Sequence, residues 1–81
     1  MSTEFEITDT LDVTGLNCPM PVVKTKQAVD GLAQNAILEV VASDPGSIPD
    51  IDGWAQSTAG VELLDQIEGD DVYKHYVRKA E

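Results

Sequence analysis

Apolar residues recur along this chain in two rhythms. Phe5, Ile7, Leu11 and Val13 fall on odd positions, which predicts a half-buried strand over about residues 9–13 after a looser start at 1–8. Val22, Thr25, Val29 and Leu32 then recur three or four residues apart. Lys24, Gln27 and Gln34 are left facing water, the stripe of an amphipathic helix over about 19–34. Pro19 and Pro21 fit the start of that helix, because first-turn N–H groups have no intrahelical partner to lose. Cys18 is thereby placed at the N-cap. The run Ile37, Leu38, Val40, Val41, Ala42, interrupted only by Glu39, predicts a central strand over about 36–43 covered on much of both faces. Asp44-Pro45-Gly46 ends it, and Ser47 with Asp50 three residues on fits a capping box. A second helix follows to about Thr58, burying Ile48, Ile51, Trp54 and Ala55 at helical spacing. Beyond Gly60 the stretches 61–68 and 72–79 read as strands, and Gly69-Asp70-Asp71 between them marks a hairpin.

The order is therefore βαβαββ. The first crossover requires parallel strands and the last pair is antiparallel, so the sheet is mixed. With both helices on one face of four strands, the expected class is α+β, a two-layer α/β sandwich. At 81 residues the chain supports one modest core and not two, so residues 1–81 are expected to form a single domain. A hydrophobic share of 42% also argues against low-complexity disorder.

Charge narrows the function classes. Five Lys and Arg face 15 Asp and Glu, a formal net charge of −10. Direct nucleic-acid binding, which needs clustered bases to displace counterions, is not expected. The acids are scattered from Glu4 to Glu81 without a block, the pattern of a solvated acidic surface, such as a high-salt cytoplasm would require. No apolar run is long enough to span a bilayer and residues 1–6 are acidic and polar, so no membrane association and a cytoplasmic location are expected. One cysteine and one histidine close no disulfide and fill no zinc shell, and neither metal nor cofactor is expected.

Cys18 carries the chemistry of interest. A thiol at a helix N-terminus has its thiolate, the reactive form, stabilised by the positive end of the helix dipole. The competing reading, a small buried hydrophobe, fits poorly between a glycine-containing loop and a proline-initiated helix. Lys24 and Lys26 follow on the next turns, as thiolate-favouring or partner-binding cations or as solvated lysines. His75 lies in an alternating strand, where a structural role outweighs that of a base for Cys18. Trp54 is read as a core anchor or a partner contact beside the loop. Asp44 closes the second strand at the end where parallel sheets assemble sites, and is either part of the site or a turn former.

The stretch Leu11-Asp12-Val13-Thr14-Gly15-Leu16-Asn17-Cys18-Pro19-Met20-Pro21 resembles the signature of the TusA/SirA-like family of small sulfur carriers, whose motif is Cys-Pro-Xaa-Pro at the start of the first helix. Asp44-Pro45 is similar to the family's Asp-Pro after its second strand, and the likeness spans about residues 11–79. The resemblance implies that Cys18 takes sulfane sulfur as a persulfide from a cysteine desulfurase or rhodanese-type donor and passes it to an acceptor protein. The routes it implies are tRNA thiolation, molybdenum-cofactor assembly or sulfur oxidation. It also implies that Gly15, Leu16, Pro19 and Pro21 shape the loop. Met20 stands where some relatives carry an acidic residue and Asn17 where some carry a basic one. A non-catalytic interaction or regulatory module, with Cys18 as redox sensor or packing residue, is the alternative.

Overall fold

A computed structural model describes residues 6–17 and 19–80. The elements are β1 (Asp9–Val13), α1 (Met20–Asp30), β2 (Ile37–Ala42), α2 (Ser47–Ser57), β3 (Val61–Glu68) and β4 (Tyr73–Lys79). They form a four-stranded sheet in the order β1-β2-β4-β3, with β1 parallel to β2 and the other pairs antiparallel. This is the expected mixed βαβαββ arrangement. Helix α1 packs on β1 and β2, α2 packs on β3 and β4, and the helices touch each other, so they share one face of the sheet.

Strand alternation builds the layer between them. Leu11 and Val13 of β1 lie beside Val40 and Ala42 of β2, and Leu38 lies beside Val77 of β4. Val13, Leu38, Val40, Ala42 and Val77 are all buried, and Val29 of α1 and Ile51 of α2 press onto them. Burying apolar side chains of this size contributes roughly 1.5–3 kcal/mol each before conformational entropy is set against it. As expected, β2 is central and covered on much of both faces, but unequally. Only Leu38, Val40 and Ala42 are buried, whereas Ile37, Glu39 and Val41 on the helix-free face are intermediate.

That second face carries its own polar lattice. Thr10, Glu39 and Tyr76 share one row across β1, β2 and β4. The Tyr76 hydroxyl donates to Glu39 Oε2 at 2.8 Å, and the Thr10 hydroxyl to Glu39 Oε1 at 3.2 Å. Burial, with the Glu39 carboxylate beside it, pushes the Tyr76 phenol up to about 12. Arg78 pairs with Glu62 in the neighbouring row of β4 and β3.

Helix α2 has close to its expected length, whereas α1 is shorter than its periodicity suggests. Helix α1 stops at Asp30 and not near 34. Gly31 is its C-cap, and the Lys79 ammonium donates to the carbonyls of Leu32 at 2.9 Å and Asp30 at 3.3 Å. A cation from the last strand thus takes up carbonyls that the chain leaves unpaired as the helix ends. Within α1 the buried positions are Pro21, Thr25 and Val29, with Val22 at the margin, and Leu32 packs against the core from just beyond the helix. The Thr25 hydroxyl is satisfied by donating to the Pro21 carbonyl at 2.7 Å. Of the stretch 1–8 expected to be loose, residues 1–5 lie outside the described residues. Thr8 already exchanges hydrogen bonds with Ile37, its N–H donating at 2.8 Å and its hydroxyl oxygen accepting at 3.1 Å.

Candidate functional site

Because β1 and β2 are parallel, their C-terminal ends coincide, and Val13 lies beside Ala42. The loop into α1 and the loop into α2 therefore leave the sheet side by side. Cys18 belongs to the first of these loops by sequence and lies outside the described residues, so the site is built here from the residues that flank it.

The chain leaves β1 in a tight turn. Leu16 N–H donates to the Val13 carbonyl at 3.2 Å, and Gly15, third of the four turn residues, sits at φ +84°. A positive φ at that position is the type II arrangement, which glycine adopts without the steric penalty of a Cβ. Asp12 braces the same turn: its Oδ1 accepts both the Thr14 hydroxyl at 2.7 Å and the Thr14 N–H at 2.9 Å. Those bonds, the hydroxyl's first, hold the Asp12 carboxyl below its ordinary range. Gly15 N–H reaches across to the second loop and donates to Ser43 Oγ at 2.8 Å. Leu16 packs its side chain against the core. Asn17 O then accepts Met20 N–H at 2.8 Å, so the chain on both sides of residue 18 is held.

The helix begins one residue later than expected. Pro19, not Cys18, occupies the N-cap of α1, with no side chain capping it, and Pro21 stands at N2. The helix N-terminus also has few N–H groups to offer a thiolate. Met20 N–H is taken by Asn17 and Pro21 has none, which leaves that of Val22 among the first three residues, together with the helix dipole. Pro19 and Met20 are exposed, as is Val23 one turn on, whereas Pro21 is buried.

Of the other predicted site residues, Asp44 lies in the second loop directly after Ser43, and the rest lie elsewhere. Asp44 is a turn former: its Oδ1 accepts Gly46 N–H at 3.1 Å and its carbonyl accepts Ser47 N–H at 2.9 Å. Lys24 is exposed on α1. Lys26 and Trp54 line a groove with Val29, Val61 and Lys79, at the opposite end of the sheet from the loops. Trp54 is therefore a half-buried packing residue and not a contact beside the loop.

Ser47 does not cap α2; Gly46 does, and Ser47 lies in the first turn. Its hydroxyl turns into the core and meets His75 Nε2 at 3.0 Å, both residues being fully buried. On the other side of the ring, the Gln66 side-chain amide donates to His75 Nδ1 at 3.0 Å and to the Ile48 carbonyl at 2.9 Å. Since Nδ1 accepts, Nε2 carries the proton and donates to Ser47. Desolvation pushes the ring's pKa down to about 4, which keeps it neutral. His75 is thus a structural residue that ties β4 to the first turn of α2.

Among the described residues no group of three or more His, Cys, Asp and Glu side chains is arranged to hold a metal ion. Nor, among the described residues, is any helix long and apolar enough to cross a membrane. Ser43 was missed as a site residue. The one signal available was a hydroxyl placed directly after the second strand, and a hydroxyl in such a position is common in turns.

Comparison with known proteins places this geometry. Residues 9–79 match the family model described as Sulfurtransferase TusA. A protein of Halobacterium salinarum provisionally named a sulfur carrier is 70% identical over 80 residues, covering 99% of each chain. The sulfur carrier protein TusA of Allochromatium vinosum is 36% identical over 70 residues, covering 86% of this chain and 91% of its own. The crystal structure of a SirA-like protein from Desulfitobacterium hafniense shares the fold with a TM-score of 0.70 and 23% identity, over 90% of this chain and 99% of its own. Family model, relatives and fold agree: this chain belongs to the TusA family.

Proposed function

We propose that the protein is a cytoplasmic sulfur carrier in which Cys18 holds sulfane sulfur as a persulfide. A cysteine desulfurase or rhodanese-type enzyme is the donor, and the acceptor serves tRNA thiolation, molybdenum-cofactor assembly or sulfur oxidation. The observation that supports it most is family membership across residues 9–79, where the one cysteine immediately precedes the capping residue of α1.

The chemistry follows from thiol–disulfide exchange. The Cys18 thiolate attacks the outer sulfur of the donor's cysteine persulfide, and the donor's inner sulfur leaves as a thiolate. One S–S bond forms as another breaks, so no external oxidant or reductant is consumed. In the second half a nucleophile on the acceptor attacks the outer sulfur and releases the Cys18 thiolate. Single-cysteine economy suits this scheme, since every second thiol is the partner's. The surroundings support access: Pro19, Met20 and Val23 are exposed, so a partner can reach this loop. Lys24, exposed one turn into α1, is a partner contact in this reading. Gly15, Leu16, Pro19 and Pro21 shape the loop.

The test is intact mass after incubating the reduced protein with a cysteine desulfurase and cysteine, and separately with a rhodanese and thiosulfate. One added sulfur on the wild type, removed by reductant and missing from Cys18→Ser, is expected. No added sulfur from either donor, with Cys18 also resisting alkylation, would leave a non-catalytic interaction module as the better account.

A further inference from the structure

We propose that Ser43 is a positioning residue for sulfur transfer at Cys18, an inference that rests on the carrier reading above. Its hydroxyl oxygen accepts the Gly15 N–H at 2.8 Å, a side-chain link between two loops 28 residues apart in sequence. What lies behind Ser43 is rigid. It directly follows Ala42, which is fully buried and paired with Val13, and it precedes Asp44, whose carbonyl holds Ser47 N–H. Ser47 in turn is fixed to the buried His75. The loop in front is held less firmly: Gly15 is exposed, has no Cβ and sits at a φ of +84°, where glycine meets little steric resistance to rotation.

Removing the Ser43 oxygen leaves the fold its other supports. The Val13 to Leu16 turn bond, the Asp12 bonds to Thr14 and the packed Leu16 side chain all remain. What is lost is the Ser43 side-chain bond that ties this turn to the second loop. Sulfur transfer is sensitive to such a loss, because attack on a persulfide requires the thiolate aligned with the S–S bond being broken. The exposed residues a partner would meet, Met20, Val23 and Lys24, sit on α1 and keep their own supports, so the effect is expected on kcat and not on KM. Ser43 itself touches no reacting atom.

The matched pair Ser43→Thr and Ser43→Val separates the hydroxyl from the shape, since both are β-branched and one lacks the oxygen. Persulfide loading of Cys18 from a cysteine desulfurase is followed by mass at varied donor concentration, beside Gly15 amide hydrogen exchange. The expected result is a three- to tenfold lower kcat for Ser43→Val with unchanged KM, roughly the worth of one hydrogen bond, and faster Gly15 exchange. Ser43→Thr restores kcat to within about twofold and keeps Gly15 protected, as expected when the accepting oxygen is retained. Wild-type kcat in Ser43→Val overturns the proposal, as does equal loss in both variants. If the wild type itself takes up no sulfur, the carrier reading fails first and this role with it, and any Gly15 exchange difference then marks a structural link alone.

Discussion

The two helices start at the same end of the sheet, each after a strand and a short loop, and neither first turn is capped by a side chain. Their footings are nonetheless opposite. Helix α2 is bolted down: its first residue, Ser47, is buried and bonded to His75, and Gln66 completes the network from β3. Helix α1 begins among exposed residues, Pro19 and Met20, behind a turn held by backbone bonds, the Asp12 carboxylate and Ser43. On the carrier reading proposed above, the contrast divides the tasks. A protein that presents a reactive atom to several partners needs an accessible loop, and an accessible loop keeps its shape only when a stiff neighbour backs it.

The sharpest way to break the contrast is to loosen the stiff side. His75→Ala leaves a cavity, strands the Ser47 hydroxyl and takes one of the Gln66 amide's two partners, and it is expected to cost about 3 kcal/mol of unfolding free energy in urea titration. Persulfide loading, assayed well below the melting temperature, is expected to fall by less than stability does, because Ala42 beside Val13 still backs Ser43 from the sheet. Acid attacks the same network by a different route. Folded His75 titrates near 4 and an unfolded histidine near 6.5, so the unfolded chain binds the proton first as pH falls. The contribution is fully present above about 6.5 and drains away between there and about 4, by up to about 3 kcal/mol. His75→Gln is expected to flatten that segment of the stability–pH curve, measured beside wild type so that carboxylate titration cancels.

Gly15→Ala tests the exposed side. An added Cβ meets nothing within 4 Å, so the cost is the backbone conformation alone, about 1 kcal/mol in a thermal melt. Loading should suffer proportionally more than stability, the reverse of His75→Ala. Smallest of all is Lys24→Ala, a solvated helix position, expected to change stability by less than about 0.5 kcal/mol. As a partner contact it should raise KM for the donor, with the increase fading at high salt.

These footings differed in how far local sequence disclosed them. The turn at Thr14-Gly15 and the proline-led start of α1 were legible because their determinants are adjacent residues whose backbone preferences act locally. The alternation of Leu38, Val40 and Ala42, and the hairpin at Gly69, were legible for the same reason. Ser47 was not. With Asp50 three residues on it satisfies a capping pattern, yet its hydroxyl goes to a histidine 28 residues away, a tertiary bond that overrides a local preference. The end of α1 was hidden in the same manner, since the lysine that meets its carbonyls sits on the last strand. The Cys18 side of the site rests on motif likeness and on its flanks, whereas Ser43 emerged only once two loops were seen together.

Glu39 looked like a flaw in an otherwise apolar strand, and the lattice on the helix-free face gives it a job during assembly. Its two carboxylate oxygens engage Thr10 on one side and Tyr76 on the other, one row across three strands. Sliding β1 by a single residue would bring Asp9 or Leu11 opposite Glu39, forfeiting that bond and turning Leu11 and Val13 out to solvent. One acidic side chain thereby acts as a proofreading mark, telling a correctly threaded sheet from its nearest misthreaded neighbour.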